Sequence, residues 1–268
     1  QEKLMSKFIA AMDHSGGSTG GVLERYGCEY TEENKMDFVH EMRLRMINSP
    51  DFNSNNIWAT ILYKDSVERG AVDVLEAKGI EAILKVDSGC HMNGLLKDFP
   101  VDEMIDYAIR KGCTGTKMRS IVKTPMILNA VLDQQFELAT VIYAAGLMPI
   151  VEPEIPIEHE NKIMLEEMLA RGIQDRLDKF DGKCILKLTL PETPNLYLKL
   201  SQHPKVSKLV GLSGGYSIVE ACNRLVLQEN MSASFSRALS EGLFVTQSQE
   251  EFNQRISENI KAITIASK

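Results

Sequence analysis

The sequence lacks the residue groupings that usually hold metals. Its five histidines and five cysteines are scattered along 268 residues, and no two cysteines have the two-residue spacing of zinc sites or redox pairs. Isolated cysteines, odd in number, are typical of free thiols in a reducing compartment. The sequence therefore predicts no metal and no other bound cofactor.

Long apolar runs and an excess of basic residues are also missing. No run approaches the roughly 20 apolar residues of a membrane span, and the opening residues QEKLMSKF contain no signal-peptide core. The net charge is −7, with acidic and basic residues interspersed, which argues against nucleic acid or a membrane surface as a partner. We expect a cytoplasmic protein with a small-molecule ligand, and a homo-oligomer stays open.

The sequence does contain a regular alternation of strand and helix patterns. Strands are predicted at residues 8–13, 57–63, 81–87, 115–120, 148–154, 184–190, 206–215 and 231–237. A helix should follow the first strand, and others are predicted at 32–48, 72–78, 102–111, 125–145, 160–180, 195–202, 218–227 and 249–266. Glycine pairs follow the first and seventh strands without forming a dinucleotide or P-loop motif. Eight such units predict a single (β/α)8 barrel domain over residues 1–268.

A lysine lies in the middle of the sixth predicted strand. Lys187 shares one face with Ile185 and Thr189, while Leu186 and Leu188 occupy the other. Burial and neighbouring cations both disfavour the charged form, so such a lysine can act as a neutral amine nucleophile that forms a Schiff base. The common alternative is a structural lysine that pairs with a carboxylate or extends its ammonium to solvent.

Other charged residues lie toward the carboxyl ends of their strands, where the active sites of such barrels lie. They are Asp13, Lys85, Asp87, Lys117, Arg119, Glu152, Glu154 and Arg237. Individually they have structural interpretations, as ion-paired edges or, for the Ser213-Gly214-Gly215 segment, a plain turn. Together they predict more interior cations than acids, an excess that a doubly anionic ligand would neutralise.

Seven segments in order resemble those of class I fructose-bisphosphate aldolases, in particular the short bacterial form. They read AAMDHSGGS, ILKVDSG, GTKMRS, PIVEPE, ILKLTLP, GLSGGYS and SASFSRAL and extend over nearly the whole chain. The resemblance implies a (β/α)8 barrel. It also implies reversible, metal-independent cleavage of fructose 1,6-bisphosphate to dihydroxyacetone phosphate and glyceraldehyde 3-phosphate.

The resemblance also assigns catalytic roles. Lys187 matches the Schiff-base lysine, Glu152 the general acid/base of carbinolamine dehydration, and Glu154 a supporting acid. Lys117 matches the lysine that favours the neutral amine of Lys187. Asp13 matches the carboxylate that handles the proton of the C4 hydroxyl.

Two further sets resemble the family's phosphate sites. The residues similar to the C1-phosphate site are Ser213, Gly214, Gly215 and Arg237, and those similar to the other site are Ser15, Ser18, Lys85 and Arg119. The chain departs from the family at His14, where Glu or Gln is usual. It departs again at Gly21 and Val22, in place of a basic pair that helps hold substrate in the animal enzymes. Arg25 is the basic residue that could substitute for that pair.

Two other functions remain open at this point. A related Schiff-base aldolase acting on tagatose 1,6-bisphosphate differs only by one inverted hydroxyl, which sequence does not discriminate. A barrel that acts as a non-catalytic binding or scaffold protein is the second alternative. The simultaneous presence of Lys187, Glu152, Lys117 and Asp13 favours an enzyme.

Overall fold

The computed structural model describes residues 6–16 and 18–268, and within them a parallel sheet runs in the order β1 to β8. The strands are β1 (Phe8–Met12), β2 (Ile57–Leu62), β3 (Glu81–Lys85), β4 (Gly115–Ile121), β5 (Met148–Glu154), β6 (Cys184–Thr189), β7 (Val206–Leu212) and β8 (Ser232–Ala233). The amide of Ala11 donates to the carbonyl oxygen of Phe235 at 3.1 Å, which joins the two ends of the sheet. The predicted (β/α)8 barrel is confirmed. Gly17, in the first glycine pair, lies outside the described residues.

Helices connect the strands around the outside of the barrel. They are α1 (Ser18–Tyr26), α2 (Lys35–Ile47), α3 (Lys64–Glu68), α4 (Ala71–Ala77), α5 (Val101–Arg110), α6 (Pro125–Ala144), α7 (Lys162–Lys179), α8 (Leu198–Ser201), α9 (Ile218–Leu225) and α10 (Gln249–Ala266). Within the described residues, none of them combines the length and apolarity that crossing a membrane requires.

The strands are buried on both faces because helices cover the outside and side chains fill the inside. On β6 the outward Leu186 and Leu188 belong to the large core between sheet and helices. The inward side chains pack into a second, smaller cluster: Ile9, Ala11, Ala59, Ile61, Ile83, Ile150, Ile185 and Val210. Four charged residues each lie two positions after a member of this cluster: Asp13, Lys85, Glu152 and Lys187. The apolar cluster therefore forms a layer directly beneath a polar layer made by these side chains.

Two predicted strands extend three or more residues too far. The eighth was predicted to reach residue 237, but it ends at Ala233 and the chain turns at Ser236, whose carbonyl oxygen accepts from the Ser240 amide at 3.2 Å. The seventh ends at Leu212 rather than residue 215. Gly214 and Gly215 have φ angles of +59° and +113°, which are incompatible with an extended strand.

The helix assignments contain two further differences. The helix predicted at 195–202 shortens to Leu198–Ser201, because Asn195 adopts a left-handed φ of +59°. The short helix α3 was not predicted, and it extends from Lys64, directly after β2, to Glu68. It brings the start of the connection after β2 to the mouth of the barrel.

Gly94 fastens the loop after β3 to the end of β4. Its carbonyl oxygen accepts from the Ile121 amide at 3.0 Å, and its φ is +96°. A Cβ placed on Gly94 would lie 1.8 Å from the carbonyl oxygen of Ile121. Only glycine therefore fits this contact.

Gly94→Ala should destabilise the protein by about 3 kcal/mol, because it adds a backbone clash to the strain of a positive φ. The matched control is Gly146→Ala, where φ is +91° and a Cβ would meet nothing within 4 Å. That variant should cost only about 1–2 kcal/mol. Urea unfolding measures both, and equal losses would contradict the contribution of the Gly94–Ile121 contact.

Candidate active site

A cavity of about 1180 Å³ opens at the carboxyl ends of the strands. Its lining contains every residue predicted for the site except Gly215: Asp13, Ser15, Ser18, Lys85, Lys117, Arg119, Glu152, Glu154, Lys187, Ser213, Gly214 and Arg237. Among the residues that the structure describes, nine lysines or arginines line it, against four aspartates or glutamates. The cavity therefore suits an anionic ligand.

Glu152 lies at the centre of the polar layer, between two lysines. Its Oε1 is 3.3 Å from Lys187 Nζ, and its Oε2 is 3.1 Å from Lys117 Nζ. Lys117 Nζ also lies 2.6 Å from Oδ2 of Asp13. Lys187, Lys117 and Glu152 are each 3–4% exposed, so strands β4, β5 and β6 and the end of β1 meet in one nearly dry cluster.

The register of the sheet brings these charged side chains together. Ile150 of β5 is level with Ile185 of β6, so Glu152 and Lys187, two residues further along each strand, come to the same height on the inner face. On the other side of β5, Lys117 of β4 pairs with Ile150. Lys117 therefore approaches the Glu152 carboxylate from the neighbouring strand and the layer below.

Burial and neighbouring charges shift the pKa values of this cluster in opposite directions. Burial alone would raise the pKa of Asp13, but Lys117 and Lys187 outweigh it and hold that pKa well below its ordinary value of 3.8. Burial would lower the pKa of Lys117, but Asp13 and Glu152 raise it instead. Asp13 and Lys117 are consequently a charged pair at neutral pH.

The remaining interior cations are also paired. Lys85 Nζ lies 2.8 Å from Oδ1 of Asp87, and Arg119 Nε lies 2.5 Å from Oε2 of Glu154. Asp87 also accepts hydrogen bonds from the amides of Gly89 and Arg119. The expected excess of interior cations is therefore wrong: Asp13, Asp87, Glu152 and Glu154 balance Lys85, Lys117, Arg119 and Lys187. The uncompensated positive charge lies at the rim.

The segment after β7 lies against the arginine that follows β8. Ser213 is buried, and a Cβ built on Gly215 would lie 3.5 Å from a terminal nitrogen of Arg237. Gly215 therefore adjoins the site through Arg237, although it does not line the cavity. The Arg237 side chain is solvent-exposed, and within the described residues it has no carboxylate partner.

Ser15 and Ser18 form a small turn at the start of α1. Ser18 Oγ donates to the carbonyl oxygen of Ser15 at 2.9 Å, and the Ser15 amide donates back to Ser18 Oγ at 3.2 Å. Both residues face the same cavity as Lys85 and Arg119.

Sequence reasoning missed residues that support the β1 end. Arg43 of α2 donates to the carbonyl oxygen of His14 at 2.5 Å and to Ser66 Oγ at 2.8 Å. The Ser236 hydroxyl contacts the His14 ring at 3.2 Å. Burial, together with Arg43 and two other arginines, lowers the pKa of His14 to about 4, so its imidazole is neutral at pH 7. Ser234 and Ser236 also line the cavity. The alternation of serines at 232, 234 and 236 in the sequence could have indicated that these side chains share one face of the eighth strand and its extension.

Comparison with known proteins gives consistent matches. A family model described as fructose-bisphosphate aldolase class-I matches residues 3–174. The fructose-bisphosphate aldolase class 1 of Synechocystis sp. is 44% identical over 280 residues, with 97% of this chain and 93% of that protein covered. The enzyme of the same name from Clostridium acetobutylicum is 43% identical over 279 residues, with 97% and 95% covered.

Solved structures agree on the fold. Fructose-bisphosphate aldolase from Plasmodium falciparum, crystallised with TRAP and a small-molecule inhibitor, superposes with a TM-score of 0.78 at 19% identity, covering 98% of this chain and 91% of that one. Cgl0159 from Corynebacterium glutamicum superposes at 0.57 with 13% identity, covering 99% and 88%. The fold, the full-length similarity and the family match lead to one conclusion: the chain belongs to the class I fructose-bisphosphate aldolase family.

Proposed function

We propose that this chain cleaves fructose 1,6-bisphosphate reversibly to dihydroxyacetone phosphate and glyceraldehyde 3-phosphate through an imine on Lys187. The observation that carries the proposal is the buried contact of Lys187 Nζ with Glu152, 3.3 Å away. It puts an amine next to a group that can exchange protons with it, at the floor of a cavity lined by cations.

Imine formation begins when the neutral amine of Lys187 attacks the C2 carbonyl of the open-chain sugar. The resulting carbinolamine loses its hydroxyl as water, and Glu152 supplies the proton. Glu152 is placed for this role, since its Oε1 lies 3.3 Å from Lys187 Nζ and its Oε2 lies 3.1 Å from Lys117 Nζ. It is therefore available to carry a proton through the cycle.

Bond cleavage then uses the iminium as the electron sink. Asp13 takes the proton of the C4 hydroxyl, the C3–C4 bond breaks, and its electron pair moves toward the iminium nitrogen to give an enamine. Glyceraldehyde 3-phosphate leaves. Protonation at C3 and hydrolysis of the imine release dihydroxyacetone phosphate and restore the lysine.

Charges at the mouth of the barrel hold the two phosphates. Arg237 and the backbone of Ser213 to Gly215 suit the C1 phosphate, because consecutive amides beside a guanidinium form an anion cradle. Lys85, Arg119, Ser15 and Ser18 suit the other phosphate. Within the described residues Glu154 accepts a hydrogen bond only from the Nε of Arg119. The terminal nitrogens of Arg119 are therefore available to a phosphate, which supports this assignment.

Lys117→Met should raise the pKa of Asp13, because burial then acts against one cation instead of two. A carboxyl whose pKa is lowered by folding stabilises the folded protein above pH 3.8. This stabilisation is lost only as the pH falls through the pKa of the carboxyl in the folded protein. In the unmutated protein Asp13 should therefore stay ionised at pH 3.8. NMR titration of labelled aspartate carboxyls measures both proteins.

Lys85→Met is the control, since Lys85 pairs with Asp87 and is not among the groups that shift Asp13. An Asp13 carboxyl that titrates at its ordinary pH in the unmutated protein would contradict the Lys117 pairing. So would a titration that Lys117→Met leaves unchanged.

Glu152→Gln should lower kcat by about 10²–10⁴-fold, because the amide retains size and hydrogen bonding but transfers no proton. Substrate binding should persist, and imine formation should slow along with turnover. Steady-state and single-turnover kinetics measure the two effects.

Glu154→Gln is the comparison, since Glu154 pairs with Arg119 rather than with Lys187. Near-normal turnover in Glu152→Gln, together with a large loss in Glu154→Gln, would show that Glu154 rather than Glu152 is the general acid/base.

Treatment with EDTA should leave the cleavage rate unchanged, because the iminium supplies the electron sink that a Lewis-acid metal would otherwise provide. The measurement is release of both triose phosphates from fructose 1,6-bisphosphate before and after chelation. Activity that disappears with chelator and returns with added zinc would contradict the imine mechanism.

A further inference from the structure

The hydrogen-bonded pairing between β5 and β6 is short. Within the described residues it consists of two residue pairs, and the second of them joins Val151 to Leu186. By comparison, β4 pairs with β5, and β6 with β7, along the whole of each β4 and β6 strand. The pairing of β5 with β6 therefore stops one residue before Glu152 and Lys187, the two side chains whose contact carries the proposed function.

Two prolines in β5 explain why this pairing is short. The carbonyl oxygen of Glu154 accepts from the Val122 amide at 2.8 Å, so the backbone of Glu154 faces the side of β4. The backbone groups of successive residues in a strand point to opposite neighbours, so Pro149 and Pro153 direct theirs toward β6. Proline has no N–H to donate. Two donors that β5 would otherwise present to β6 are consequently missing, and one of them belongs to the residue after Glu152.

The Thr189 side chain joins the two strands again beyond this gap. Its hydroxyl accepts from the Ile155 amide at 3.0 Å and donates to the Ile155 carbonyl oxygen at 2.7 Å. Thr189 is 1% exposed and Ile155 is fully buried, so both hydrogen bonds are enclosed in the protein. Buried backbone groups without partners are costly. The hydroxyl therefore satisfies the two backbone groups of Ile155 and fastens the end of β6 to the chain that follows β5.

Thr189 lies close to the contact between Glu152 and Lys187. It follows Lys187 by two residues on β6, on the same inward face, and Ile155 follows Glu152 by three residues. The strand pairing thus holds β5 and β6 together just before this contact, and the threonine holds them together just after it. Thr189 is not among the described residues that line the cavity, so it influences the contact through the two strands.

We propose that Thr189 is a positioning residue, which sets the separation of Glu152 and Lys187 by tying the end of β6 to the backbone of Ile155. This inference rests on the proposed function and adds to it a residue that touches neither the substrate nor the reacting atoms. Glu152 Oε1 and Lys187 Nζ are 3.3 Å apart. Proton transfer between the carboxyl group and the carbinolamine depends on this distance, because a general acid must lie within hydrogen-bonding reach of the group that it protonates.

Thr189→Val tests the proposal, because valine has nearly the shape of threonine but cannot hydrogen-bond to Ile155. The kcat for cleavage of fructose 1,6-bisphosphate should fall about 10–100-fold, the effect of a displacement of about 1 Å at the reacting groups. The rate of imine formation, measured in a single turnover, should fall with it. KM should change little, because other residues are proposed to hold the phosphates.

Two conservative variants of the same residue give a graded series. Thr189→Ser retains the hydroxyl and should recover most of the turnover that Thr189→Val loses. Thr189→Cys has a weak donor and acceptor in the same place, so its kcat should lie between those of the serine and valine variants. The cysteine variant also keeps the test usable if valine prevents folding.

Two control variants separate positioning from a loss of stability. Thr264→Val removes a buried hydroxyl of α10 that donates to the Ile260 carbonyl oxygen at 2.8 Å, outside the cavity lining. Thr116→Val removes a buried hydroxyl of β4, next to Lys117, that has no hydrogen bond within the described residues. Thr264→Val and Thr189→Val should both lower the melting temperature. Only Thr189→Val should lower kcat.

Crystal structures of the variants provide a test without turnover. In Thr189→Val the separation of Glu152 Oε1 from Lys187 Nζ should widen by about 1 Å from its value of 3.3 Å, and in Thr189→Ser it should not. An unchanged separation, an unchanged kcat, or an equal loss of kcat in Thr264→Val would overturn the proposal. If the unmutated protein fails to cleave the bisphosphate, the proposed function fails, and Thr189 is then judged by the separation in the crystal structures.

Discussion

The carboxylate of Glu152 between Lys117 and Lys187 is the interaction on which the rest of the site depends. Three charged groups, each 3–4% exposed, lie together where water is largely excluded. Removing one partner of such a buried group leaves an uncompensated charge, at a cost of about 3–5 kcal/mol. The same enclosure makes the cluster useful, because a carboxylate held between two amines can pass protons to a sugar bound by one of them.

The barrel positions this cluster through its register. Parallel strands present their carboxyl ends at one rim, and the inward apolar layer ending at residues such as Ile150 and Ile185 supports the polar layer above it. Glu152 and Lys187 reach the same height because their strands pair two residues earlier. Outside this charge-balanced centre, the rim carries the positive charge that the phosphates of a sugar bisphosphate would neutralise.

The alternation of side chains along each strand made the barrel and most of the charged cluster predictable from the sequence. An inward parity for Lys187, Glu152, Lys117 and Asp13 follows from counting residues along each strand, and the structure brings all four together. Contacts made through space were not predictable. The role of Asp87 in neutralising Lys85 and the reach of Arg43 from α2 to the carbonyl oxygen of His14 depend on how separate segments pack. The ends of β7 and β8 were overextended because backbone turns at Gly214 and Ser236 overrode the strand-like composition.

Trapping the covalent intermediate is the most direct test of an imine on Lys187. Borohydride added with dihydroxyacetone phosphate reduces an imine to a stable secondary amine, and mass spectrometry of the digested protein locates it. An imine on Lys187 predicts irreversible inactivation and a single modified residue, Lys187. A label on Lys85 or Lys117 instead, or no label with full retention of activity, would contradict it.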